Sequence, residues 1–171
     1  KNENTVITRK NNRPEIERFY KENEGMEVLQ NLHFMYFDLP KWLMFWKKKI
    51  GERGYVLYFY MWQMFVPLFI KRSGVKFDII HALNFHSDSH PQFLWVFGKP
   101  TFWGPIGHHP KVPKEFILHD YDKKNLIKDR VYNSVKYIMR TFDPFYYISK
   151  WTARKIFVIN SQINDEVKAR H

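Results

Sequence analysis

The chain has 171 residues, 44% hydrophobic and 19% aromatic, which supplies apolar surface for one domain with a core and argues against disorder. It contains no cysteine, which excludes a disulfide framework, a thiolate metal site and a cysteine nucleophile. Its formal net charge of +11 attracts polyanions or anionic membrane surfaces whatever the fold.

The N-terminal stretch "KNENTVITRKNN" lacks the apolar core of a signal peptide. Residues 5–8 predict a short strand. "NRPEIERFYKENEG" predicts a helix, with Asn12 as cap, Pro14 in the first turn, Glu15 and Glu17 at the positive end and Gly25 as stop. "LHFMYFDLP" (residues 32–40) reads as a buried strand ended by Pro40.

"KWLMFWKKKIGERG" sets Trp42 and Trp46 beside Lys47, Lys48 and Lys49. Two readings stand. The segment is a core-facing helix end with solvated lysines, or an interfacial helix whose rings insert while the lysines meet lipid headgroups. Residues 55–70 follow, apolar apart from Gln63 and Pro67. A membrane span needs about 20 apolar residues, so a buried or interfacial helix is expected here.

"VKFDIIHALNF" (residues 75–85) predicts a central parallel strand. "HSDSHPQFLWVFG" predicts a polar loop and a short helix ending at Gly98, and "KPTFWGPIG" a strand and a tight loop. Residues 116–148 predict helix, with Val131, Val135, Ile138, Met139 and Phe142 at helical spacing and Pro144 as kink or end. "KIFVIN" (residues 155–160) predicts a buried strand, and Ser161 caps a last helix. Such alternation predicts an α/β fold with a mostly parallel sheet covered on both faces. Ligands then bind beyond the carboxyl ends of the strands, which singles out residues 38–40, 81–90, 104–109 and 160–161.

Two strand ends gather the polar residues. One offers His81, Asn84, His86, Ser87, Asp88, Ser89 and His90; the other Gly104, Gly107, His108 and His109. His86 beside Asp88 suits acid–base work, whereas His81 suits either that role or a backbone hydrogen bond near a strand end. His108 and His109 suit a solvated loop as well as a site. The spacing matches no metal motif, and none of the nucleotide fingerprints GxGxxG or GxxxxGK[ST] occurs. The 16 Phe, 10 Tyr and 6 Trp beside the cations would suit single-stranded nucleic acid or a membrane interface. No recognition-helix or RNA-binding signature accompanies them, so no nucleic-acid partner is expected.

"FDIIHALNF" and "LWVFGKPTFWGPIG" carry a resemblance to a family. Asp78-Ile79-Ile80-His81, the apolar residues 93–97, and then Gly98, Pro100, Trp103, Gly104, Pro105 and Gly107 follow its pattern G-x-P-x-x-W-G-P-x-G. The chain resembles the N-terminal, acceptor-side domain of GT-B glycosyltransferases of the family-four retaining group. "VITRKNNRPEIE", "NLHFMYFDLP" and "IFVINSQINDEV" resemble that domain's other segments, in order, over nearly the whole chain.

The resemblance implies a Rossmann-like three-layer domain, incomplete at its N-terminus, spanning residues 1–171, without the C-terminal nucleotide-sugar domain and its paired glutamates. The intact protein is then expected to transfer a sugar from a nucleotide-sugar donor to a glycan or lipid-linked acceptor with retention, and this part alone to be inactive. No metal or other cofactor is expected. His81 and His86 are the catalytic candidates, and Asn84, Ser87, Asp88, Trp103, Gly104, Gly107 and His108 the acceptor-side candidates. His108 and His109 stand where the group has further glycines. Trp42, Trp46 and Lys47 to Lys49 would meet an anionic membrane surface, which implies a cytoplasmic, peripheral protein at the inner face of the plasma membrane in polysaccharide biosynthesis. The competing expectation is a non-catalytic, membrane-associated binding or scaffolding module.

Overall fold

The structure is a computed structural model that describes residues 2–43, 52–83, 90–107, 122–159 and 161. Among them are β1 (Asn4–Thr8), α1 (Arg13–Glu22), β2 (Leu32–Tyr36), α2 (Glu52–Ser73), β3 (Ile80–Ala82), β4 (Thr101–Ile106), α3 (Lys123–Phe142), α4 (Pro144–Thr152) and β5 (Ala153–Val158). The chain divides into two compact units, residues 1–72 and 73–171. The fold is mixed α/β, and every described strand pairing is parallel. The strands pair as two small sheets, β1–β2 and β3–β4–β5, where one sheet was expected.

The first unit begins with a β1–α1–β2 crossover. Asn12 precedes α1 and Pro14 lies in its first turn, but the Asn12 side chain makes no cap bond. Its Nδ2 donates instead to Thr8 Oγ1 at 2.8 Å. Tyr20 ties α1 to β2 by donating to the Leu32 carbonyl at 2.5 Å and meeting Phe34 edge-on. The strand predicted over residues 32–40 stops at Tyr36, because β1 ends at Thr8, whose carbonyl takes the Phe37 N–H.

The predicted helix over residues 55–70 is α2. It buries Tyr58, Trp62, Val66 and Ile70 along one face and leaves Leu57 and Leu68 exposed on another. Trp62 Nε1 donates to the Phe37 carbonyl at 2.9 Å, and Phe69 stacks on Phe37. Among the described residues, no helix is long and apolar enough to cross a membrane.

In the second unit, the core lies on one face of the three-stranded sheet. Ala82, Trp103, Ile106 and Ile156 pack there against Tyr146 of α4. The strand predicted over residues 75–85 begins only at Ile80; residues 84–85 lie outside the described residues. Pairing begins where Ile80 N–H meets the Pro100 carbonyl. Upstream on that neighbour, Pro100 has no N–H to offer and Gly98 turns in the left-handed region, φ 61°, as the stop of the 3-10 turn Leu94–Phe97. Pro144 ends one helix and starts the next. Asp143 between them accepts from Phe145 N–H at 2.8 Å, as an N-cap should.

Candidate functional site

The last four residues of β4 are "WGPI", read from the sequence as a tight loop. It is instead strand. Trp103 pairs with Ile156 and Ile106 with Val158, so β4 carries one more residue than β5 across this step. The extra residue forms a bulge, and the ladder resumes when Ile159 N–H reaches the Ile106 carbonyl at 3.1 Å. Gly104 makes the bulge possible. Its φ is 127°, and a Cβ there would overlap the Phe157 carbonyl on β5. The Gly104–Pro105 peptide bond is cis.

β3 supplies the second component. His81 is in register with Phe102, and its ring turns along the sheet so that Nε2 lies 2.9 Å from the Gly104 carbonyl. A carbonyl only accepts, so Nε2 carries the proton and donates. In the neutral ring, Nδ1 is then the basic nitrogen. His81 is exposed, and its ring meets Phe157 at 5.9 Å between centroids. Phe102 stacks on Phe157 from the same sheet face. That face therefore presents a histidine set among aromatic rings, while the alternate residues, Ile80, Ala82 and Trp103, are buried.

The structure thus brings His81 and Gly104 together and buries Gly107, three residues after Gly104. Trp103 is wholly buried, its ring edge-on to Tyr146 in the core. Trp42 is exposed at the start of a helical stretch, residues 41–43. Asn84, His86, Ser87, Asp88, His108, Trp46, Lys47, Lys48 and Lys49 lie outside the described residues. Among the described residues, no group of three or more His, Cys, Asp or Glu is placed to hold a metal ion.

A second polar group sits past the carboxyl ends of β1 and β2. Arg9 Nε and the Tyr58 hydroxyl both donate to Asp38 Oδ1, each at 3.2 Å. The Arg9 guanidinium also lies 5.0 Å over the Tyr58 ring. Burial pushes the Tyr58 hydroxyl above its ordinary range, the Asp38 charge adds to this, and Arg9 opposes it. The rule that polar residues gather where parallel strands end pointed to Asp38; Arg9 could have been found by the same rule, one residue past β1. No family model, curated protein or solved structure matches the chain.

Proposed function

We propose that this chain is the acceptor-side domain of a retaining glycosyltransferase, three-layered and Rossmann-like, with its acceptor bound at the carboxyl end of β3 and β4. The observation that carries this reading is the His81–Gly104 hydrogen bond. It joins the two segments that resemble the family, at the strand edge where α/β sheets bind ligands. The parallel pairing of the strands supports it, as does the half-open His81–Phe102–Phe157 face, because parallel sheets are covered on both sides.

In this reading, the Gly104 bulge holds the strand edge open and His81 offers its Nδ1 to an acceptor hydroxyl. A separate domain would hold the nucleotide-sugar donor, with helix ends and basic residues offsetting the leaving diphosphate. The acceptor is a glycan or a lipid-linked glycan at the cytoplasmic membrane face.

The test is a transfer assay with the full-length gene product, a panel of radiolabelled nucleotide sugars and a membrane lipid extract. Label should pass to the extract from at least one donor. His81→Ala should lower kcat by about a hundredfold with little change in donor KM. Absence of transfer from every donor, or full activity in His81→Ala, overturns the reading.

A further inference from the structure

Helix α3 is turned the wrong way for a helix of a finished surface. Ile127, Val131, Val135, Ile138 and Phe142 form one stripe, covering roughly 80° of the circumference at 3.6 residues per turn. An apolar stripe of that spacing ordinarily faces the core. Here the five side chains are between 40% and 73% exposed. The side turned inward, with Leu126 and Met139 half-buried at its margins, is largely polar instead. Lys136 is buried over the Tyr132 ring, and Asp129, Asn133 and Arg140 are half-buried around it.

Charge decides what covers the stripe. The helix carries Lys123, Lys124, Lys128, Arg130, Lys136 and Arg140 against Asp129 as its acidic residue. Lys128 and Arg130 are exposed and border the stripe on its two sides. Tyr132 and Tyr137, also exposed, stand further round on either side. A second copy of the chain would bring two such cationic borders together inside a protein with a net charge of +11. An anionic lipid surface meets both features at once. The apolar stripe enters the acyl boundary, the cations meet headgroup phosphates, and the tyrosines sit at headgroup level.

We propose that α3 lies in the plane of an anionic membrane, with the Ile127–Phe142 stripe as its inserted face. The proposal does not depend on the glycosyltransferase reading.

The test is co-sedimentation of the full chain with vesicles of phosphatidylcholine containing about 30% phosphatidylglycerol, and with phosphatidylcholine alone. The wild type should bind the anionic vesicles and lose most of that binding at about 1 M salt, where screening shortens to about 3 Å. The double substitution Val131→Ser, Ile138→Ser should weaken binding by about tenfold or more. Both positions are exposed, so an unchanged circular dichroism spectrum and melting curve should accompany the loss. The triple substitution Lys47→Gln, Lys48→Gln, Lys49→Gln should leave α3-dependent binding in place. Three results overturn the proposal: no binding of the wild type, undiminished binding of the α3 variant, or loss of binding in the lysine variant alone. A dimer that the α3 substitutions dissociate, without lipid binding, assigns the stripe to a second copy and likewise overturns it.

Discussion

Gly104 and Phe157 approach so closely that β4 has no room for a side chain where it faces the Phe157 carbonyl of β5. Replacement of Gly104 by alanine must both move that backbone and hold alanine at φ 127°. Gly104→Ala should therefore cost about 3 kcal/mol or more in urea unfolding. Gly98 provides the comparison. Its φ is 61° with open space around it, so Gly98→Ala should cost about 1 kcal/mol, the left-handed backbone penalty alone.

Trp103 fills the centre of the second unit's core against Tyr146, and Trp103→Ala should cost about 3–5 kcal/mol. A smaller loss is expected one turn along α4. The buried Ser149 hydroxyl lies 2.7 Å from the Gln92 carbonyl and 2.7 Å from the Phe145 carbonyl. Ser149→Ala removes the long-range bond that ties α4 to the segment before the 3-10 turn, and should cost about 1–3 kcal/mol. Urea unfolding of the two variants should preserve that order.

Asp38 accepts from both Arg9 and Tyr58, and both members of the ion pair are largely shielded from water, at 25% and 20% side-chain exposure. Asp38→Ala should cost about 1–3 kcal/mol, because two donors lose one acceptor together. Asp38→Asn keeps an acceptor oxygen and should cost less. A double-mutant cycle with Arg9→Ala should show coupling, since the pair shares a network.

Tyr58 makes the stability of the protein fall in alkali. Burial first, then the nearby Asp38 charge, raises its pKa above the ordinary 10.0 despite Arg9. Below pH 10 the hydroxyl is protonated in both the folded and the unfolded chain, and its contribution is fully present. As pH rises through 10 the unfolded chain releases the proton first, so unfolding gains and stability drops towards the folded pKa. Urea midpoints measured from about pH 9 to pH 11 should fall less steeply in Tyr58→Phe than in the wild type. Tyr36, raised by its own partial burial, adds a loss of the same sign.

Much of the chain's local structure was legible in sequence because its signals are local. Pro14 opens α1, Gly98 stops a short turn, and Pro144 separates α3 from α4, each through a fixed φ, a missing N–H or a tolerated left-handed conformation. The alternation of strands and helices gave the parallel pairing for a similar reason, since parallel neighbours need a crossover between them. Tertiary structure decided the rest. Trp103 and Gly104 are adjacent in a motif that reads as loop, yet one fills the core and the other closes on Phe157, across 53 residues of chain. β3 begins only at Ile80 because of what stands opposite it, Pro100 and Gly98, not because its own apolar run begins there. The α3 spacing fixed a helix and an apolar stripe, but helical periodicity carries no information on which side a stripe faces. That depends on the rest of the fold, and in this protein the polar side of α3 is the more buried one.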